Sequence, residues 1–332
     1  MKKTLRFLGF SLLGLLGLLT IGAGLFTYFL YTPDPDMPQL SGSFTKESIE
    51  VDGVTRTYRI YLPKDLAKGA PLVMVLHGSG QNGAQIRLET GYGFDRLADQ
   101  HRFAVVYPSG KSFDWNDCSK TGDFSVDGRE LDDVKYLNEL VDKLLAEHDF
   151  DPHKVFATGV SSGGFMSLRL ALESPSRFRA VAAVSANVPA ADNFKCKPVE
   201  SGTSVMIMNG TNDPLVPYDG GESALFGLFY KNGIVRSSQD SAQYFASHNK
   251  ISKASARDSS LNSDPRNDKG EPIIERKLWS DGSKVEIELV SVRDAGHGMP
   301  QPYWKRPRLL GPSPMVPNGP EMIWYIFVRQ KP

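Results

Sequence analysis

The sequence predicts an α/β fold: a mostly parallel central sheet with helices on both faces. Three observations carry it. Short apolar runs alternate with segments of helical periodicity over most of the 332 residues, and that alternation is the signature of a covered parallel sheet. Several of the runs end directly in glycines, as buried strands entering loops do. One run, residues 155–158, leads through Gly159-Val160-Ser161-Ser162-Gly163 into a helical stretch.

The elements follow in order. Residues 46–51 and 54–62 read as strands joined at Asp52-Gly53, a strong hairpin signal. Residues 71–76 form a buried strand ending at His77-Gly78-Ser79-Gly80, and 103–107 repeat the pattern before Pro108-Ser109-Gly110. Residues 130–148 are helical, because Leu131, Val134, Leu137, Leu140, Val141, Leu144 and Leu145 fall on one stripe. Asp132 and Asp133 read as caps of that helix, ahead of a substrate-binding role. A helix over 163–173 stops near Pro175, and strands follow over 180–185 and 204–208. Residues 238–248 and 321–329 read as helices. Residues 273–279 and 285–292 are either a two-stranded excursion or the last two strands of the sheet. The polar stretch 258–271 reads as a surface loop, and 222–235 as a small cap over a cleft.

Composition narrows the function classes. Lys plus Arg equals Asp plus Glu, 38 each, so no basic excess points to nucleic acid. No obligate protein partner is evident. The first residues differ from the rest: Lys2, Lys3 and Arg6 precede an apolar run over 7–31. That is long enough to span a bilayer as a helix. It reads as an uncleaved signal anchor or a cleaved signal peptide over 1–31, with a buried soluble helix as the plain alternative. Either of the first two sends the rest of the chain across the membrane, since the positive flank stays inside. A proline-containing linker over 32–43 then leads to a single catalytic domain over 44–332.

Two cysteines occur, Cys118 and Cys196. In an exported chain an even count invites a disulfide, which over so long a loop would contribute roughly 4–5 kcal/mol. Two separate buried thiols are the alternative. No Cys-x-x-Cys or His/Cys cluster points to a metal.

The chemistry centres on Ser161. A serine on a sharp strand-to-helix turn needs glycines two residues away on either side, and Gly159 and Gly163 provide them. The helix behind it favours developing negative charge. Serine needs a base and a group to orient that base. In this arrangement the chain order is serine, acid, histidine. His297, flanked by Gly296 and Gly298 just past a strand, is the candidate base, ahead of His248 on a helix. Asp213, at the end of the strand over 204–208, is the candidate acid, ahead of Asp219 and Asp294. The oxyanion would be held by two backbone amides, those of Ser162 and Ser79.

These residues belong to a wider set: His77-Gly-Ser-Gly-Gln81, Trp115-Asn-Asp117, Asp132-Asp-Val134, Gly159-Val-Ser-Ser-Gly-Gly164, Gly210-Thr-Asn-Asp-Pro-Leu-Val-Pro-Tyr218 with Gly220-Gly221, and Gly296-His297. In that order the chain resembles the polyhydroxybutyrate depolymerase and feruloyl esterase branch of the α/β hydrolases, the LpqC-like esterases. The resemblance implies the α/β-hydrolase fold, catalysis by the motif serine, aspartate and histidine, and cysteines near Cys118 and Cys196. Related chains often have Cys where Ser79 stands, and Thr-Trp-Pro where this chain has Gly298-Met299-Pro300. They also have a shorter stretch where this chain has 221–236. In the family the tryptophan of that Thr-Trp-Pro lies beside the active site, so Met299 is a candidate cleft residue; Trp115 is another, with a packed structural tryptophan as the alternative.

The expected activity is hydrolysis of carboxylic esters through an acyl-enzyme, with no cofactor. Hydroxyalkanoate oligomers, hydroxycinnamate esters and acetylated sugars are the candidate substrates. A peptidase or acyltransferase on the same scaffold, and a non-catalytic envelope binding protein, are the competing expectations.

Overall fold

The computed structural model describes residues 2–121, 125–126, 129–200, 202–225, 227, 231–251, 257–258, 266, 273–282 and 284–330, with backbone alone for 2–13, 125–126, 129 and 257–258. The chain opens with helix α1 (Lys2–Phe29). The strands are β1 (Ser43–Val51), β2 (Val54–Leu62), β3 (Leu72–Leu76), β4 (Ala104–Pro108), β5 (Ser125–Val126), β6 (Arg129–Glu130), β7 (Val155–Val160), β8 (Ala180–Val184), β9 (Ser204–Gly210), β10 (Gly221–Glu222), β11 (Ile234–Val235), β12 (Arg257–Asp258), β13 (Ile274–Trp279) and β14 (Ile287–Val292). Helices α2 (Gly83–Glu89), α3 (Gly93–His101), α4 (Asp133–His148), α5 (Ser162–Glu173), α6 (Ser238–His248) and α7 (Gly319–Val328) connect them.

Ten strands form one sheet in the order β1-β2-β4-β3-β7-β8-β9-β14-β13-β12. Its middle, from β4 through β14, is parallel. The ends are antiparallel. Asp52 and Gly53 both take positive φ, 51° and 75°, which matches the twist of a two-residue hairpin between β1 and β2.

The central strands are buried on both faces, so their sequences are continuously apolar. Alternate residues serve two cores. Leu72, Met74 and Leu76 of β3 join one core with α4, α5 and α6. Val73 and Val75 join the other with α2, α3 and α7. Phe327 of α7 stacks on Phe156 of β7 at 4.7 Å between centroids, and Trp324 stacks on Phe103 at 4.0 Å.

One open alternative is settled and several expectations shift. Residues 273–279 and 285–292 belong to the main sheet, β14 lying parallel to β9. Helix α4 starts at Asp133, because Glu130 pairs in the β5–β6 hairpin and the Asp132 side chain accepts the Lys135 amide at 2.9 Å. Asp132 is thus the cap; Asp133 instead forms a buried pair with Arg56 at 2.6 Å. Helices α2 and α3 were not legible: at 7 and 9 residues they are too short to display a stripe. The stretch 258–271 lies largely outside the described residues.

Residues 2–29 are helical, as the apolar run suggests, but among the described residues no helix is long and apolar enough to cross a membrane. The end of α1 rests on a short helical turn, Arg308–Leu310. Arg308 lies over the Tyr28 ring at 4.3 Å and donates to the Tyr28 carbonyl at 3.2 Å. Just beyond, Trp304 Nε1 donates to the Pro33 carbonyl at 2.8 Å.

Candidate active site

Three connections at the C-terminal edge of the sheet bring Ser161, Asp213 and His297 to one place. The first is the turn between β7 and α5. Ser161 sits on it with φ 56° and ψ −123°, a conformation that costs a non-glycine residue about 1–3 kcal/mol. Its amide donates to the Val184 carbonyl at 2.9 Å. A Cβ on Gly159 would come within 2.3 Å of the Gly163 backbone, and one on Gly163 within 2.3 Å of the Leu76 carbonyl oxygen. Only glycine fits at either position, which is the physical content of the motif.

The second connection follows β9. The Asp213 Oδ1 accepts the amides of Leu215 at 2.8 Å and Val216 at 2.9 Å. The third follows β14. The His297 amide donates to the Leu310 carbonyl at 2.7 Å, and the Gly298 amide donates to Ser185 Oγ at 2.6 Å. Gly298 has φ 114° and leaves no room for a side chain against Arg306.

His297 Nδ1 lies 2.9 Å from Asp213 Oδ2 and 3.1 Å from Oδ1, with both side chains buried. A proton on Nδ1 leaves Nε2 as the free base. Burial works to raise the Asp213 carboxyl, but the His297 charge, its hydrogen bond and the two amides outweigh burial and hold it below its usual value. Ser161 and His297 face one cavity of about 520 Å³. The Ser161 hydroxyl makes no hydrogen bond among the described residues. An imidazole–hydroxyl contact that tightens only when substrate is bound is common in such sites.

The loop after β3 forms the second wall. The Gly78 amide is committed to Gln81 Oε1 at 3.0 Å, and the Gly80 amide to the Phe113 carbonyl at 2.8 Å. The Ser79 amide between them, and the Ser162 amide at the start of α5, have no protein acceptor among the described residues. Both residues line the cavity. His77 anchors this loop. Its Nδ1 lies 2.8 Å from the Gly78 carbonyl oxygen, and its Nε2 accepts the Gly110 amide at 2.8 Å. Burial pushes the His77 imidazole down to about 4, with the Arg56 charge adding to it against the Gly78 bond.

Two expected cleft residues are elsewhere. Trp115 is fully buried behind the loop, donating from Nε1 to the His77 carbonyl at 2.9 Å. Its size and its indole N–H are used to brace His77. Met299 is buried in the core and packs against Gly319 at the start of α7. Cys118 and Cys196 form a disulfide with Cα atoms 4.9 Å apart.

Among the other cavity residues, Ser223, Leu225, Lys231 and Asn232 belong to the stretch read as a cap over a cleft, whereas the rest were given no cavity role by the sequence reading. The apolar part includes Phe165, Leu215, Val216, Leu225, Leu309 and Leu310. The polar part includes Glu89, Asp114, Asp117 and Asp133, with Lys111 and Lys231. Burial raises the Asp117 carboxyl to about 6. Ser223, Leu225, Lys231 and Asn232, from the excursion around β10 and β11, cover one side. Asn232 accepts from Thr121 Oγ1 at 3.0 Å. Asp117 was visible only as part of a motif; Asp114 and Leu310 carry no local signal.

An open, mostly parallel sheet with a serine elbow after its fifth-ordered strand, an acid after β9 and a histidine after β14 is the α/β-hydrolase fold. The acetyl xylan esterase from Aspergillus awamori has the same fold. It matches with a TM-score of 0.51 and 18% identity, over 76% of this chain and 94% of that one. The family described as esterase PHB depolymerase matches residues 56–221, and the chain belongs to that family. NocK of Nocardia uniformis subsp. tsuyamanensis, which carries an esterase name, is 33% identical over 195 residues, 57% of this chain and 54% of NocK. Poly(3-hydroxyalkanoate) depolymerase C of Paucimonas lemoignei is 32% identical over 132 residues, 38% of this chain and 30% of its own length. The match thus spans about half or less of the length of these relatives.

Proposed function

We propose that the protein is a serine esterase that hydrolyses carboxylic esters outside the cytoplasm. Ser161 attacks the ester carbonyl while His297 Nε2 takes its proton. Asp213 holds the imidazole and stabilises its charged form. The amides of Ser162 and Ser79 receive the oxyanion. His297 then gives its proton to the leaving alcohol, and water releases the acid from the acyl-enzyme by the same route.

The observation that carries this reading is the His297–Asp213 contact of 2.9 Å at a cavity that Ser161 also faces. Two acceptor-free amides beside Ser161 supply what the oxyanion requires. Family membership supports ester hydrolysis as the reaction class. The cavity, part apolar and part carboxylate-lined, suits esters with an apolar acyl body and hydroxyl groups. Hydroxyalkanoate oligomers, hydroxycinnamate esters and acetylated sugars all meet that description. The Cys118–Cys196 bridge and the apolar N-terminal run support an oxidising location.

The test is a panel of p-nitrophenyl acetate and butyrate, methyl ferulate and a hydroxybutyrate oligomer, assayed on wild type and Ser161→Ala. Hydrolysis that disappears in the variant supports the reading. A folded wild type that hydrolyses none of them and is not labelled by a fluorophosphonate overturns it.

A further inference from the structure

The two acceptor-free amides belong to residues on different parts of the chain, Ser79 after β3 and Ser162 at the start of α5. An oxyanion hole made this way works only if the two segments keep a fixed separation, because displacement of about 1 Å costs on the order of 10²-fold in rate. Neither backbone is bonded directly to the other at these residues. One side chain joins them. Asp114 Oδ1 accepts from the Ser162 hydroxyl, from the Ser79 hydroxyl at 3.3 Å and from the Trp115 amide at 2.9 Å.

All three bonds fall on the same oxygen. Asp114 itself is placed firmly: the Gly80 amide reaches back to the Phe113 carbonyl at 2.8 Å, and Trp115 is fixed through its indole to His77 at 2.9 Å. Its own amide donates to the Lys111 carbonyl at 3.3 Å. The carboxylate therefore stands on the 110–115 segment and grips both donor residues from one side of the cavity.

We propose that Asp114 is a positioning residue for the esterase reaction: its Oδ1 ties the Ser79 and Ser162 hydroxyls together and so sets the spacing of the two backbone amides that receive the oxyanion. This rests on the esterase reading above. The tether acts through geometry and hydrogen-bond acceptance; the negative charge is not what it supplies. An asparagine presents a carbonyl oxygen in the position of Oδ1 and keeps the three bonds. An alanine keeps none. The serine hydroxyls at 79 and 162 are the other ends of the same tether, although the amides themselves remain when either side chain is cut to alanine.

The experiment uses the full chain with its disulfide formed and p-nitrophenyl butyrate as probe. Asp114→Ala lowers kcat by about 10- to 100-fold, less than the full loss of a donor, with KM within about twofold. Asp114→Asn stays within about threefold of wild type. Ser162→Ala falls as Asp114→Ala does, and the double variant is no slower than the slower single, because both lose the same Ser162–Asp114 bond. Thermal melting identifies any variant that has not folded. If Asp114→Ala fails to fold, Ser79→Ala, Ser162→Ala and their combination read the tether from its other end, with the same kcat-only loss expected. The proposal is overturned if Asp114→Ala or the Ser79/Ser162 pair keeps wild-type kcat, if Asp114→Asn is as slow as Asp114→Ala, or if the losses multiply. A wild type without Ser161-dependent hydrolysis would instead overturn the esterase reading, so the two failures are separable.

Discussion

The His77 ring lies 4.8 Å from that of Trp115, and the Trp115 indole donates to the His77 carbonyl at 2.9 Å. The pair holds the loop whose Ser79 amide faces the cavity. His77 accepts the Gly110 amide on Nε2, which requires the neutral ring.

That requirement gives a pH dependence of stability. Burial lowers His77 from 6.5 to about 4, so between those values the folded chain binds fewer protons than the unfolded one. Its contribution is complete above about 6.5 and lost as pH falls through about 4. Asp95 and Asp117, both raised to about 6 by burial, pull the other way, being lost as pH rises through about 6. The measure is therefore wild type against His77→Gln. The stability advantage of wild type, from urea unfolding, shrinks as pH drops from 7 to 4. A constant difference across that window refutes the neutral buried ring.

Asp213→Asn keeps the shape of the site and removes the charge that fixes the His297 tautomer. The amide can donate to Nδ1, which moves the ring proton to Nε2 and takes the lone pair from the proposed base. The expected loss in kcat is on the order of 10³- to 10⁴-fold with little change in KM. Steady-state kinetics at neutral pH checks it; a loss below tenfold would mean that another group orients His297.

The positive φ of Ser161, 56°, is paid for by the fold whether or not the hydroxyl is present. On the proposed mechanism, Ser161→Ala is expected to remove activity and keep the strain. Ser161→Gly removes both, and should be more stable than the alanine variant by about 1 kcal/mol after the entropy of glycine in the unfolded chain is counted. Paired thermal melts decide it, with an equal or less stable glycine variant telling against a strained elbow.

The Cys118–Cys196 bridge spans 78 residues of sequence and joins the segment beside Asp117 to the stretch after β8. Replacing both cysteines by serine is expected to cost about 2–5 kcal/mol, read as a lower urea midpoint. Since Asp117 and Thr121 line the cavity, KM for the better esters of the panel should rise in the same variant. A variant unchanged in both would make the bridge dispensable.

The central sheet was legible because its strands are buried on both faces and so read as unbroken apolar runs. The elbow was legible because Gly159 and Gly163 are demanded by contacts of 2.3 Å. His297 and Asp213 could be chosen by chain order and by the strands before them, and they lie 2.9 Å apart. The cavity wall was not legible in the same way. Trp115 could be read as a cleft residue or as a packed structural tryptophan, and its burial and its N–H bond to His77 make it the second. Asp114 has no periodic or motif signal; its three bonds come from Ser79, Ser162 and Trp115 across sequence separations as large as 48. Leu309 and Leu310 reach the cavity from a turn outside any regular strand or long helix.

That turn has a second face. Arg308 grips the end of α1 at Tyr28, while Leu309 and Leu310 face the cavity and the Leu310 carbonyl carries the His297 amide. Helix α1 and the cleft therefore share a hinge pin of three consecutive residues. Trimming the chain anywhere past Tyr28 would remove a brace from the wall that seats His297. A chain cut after Tyr28 is then expected to have a less stiff cleft entrance than the full chain, so the N-terminal helix tunes a wall it does not itself form.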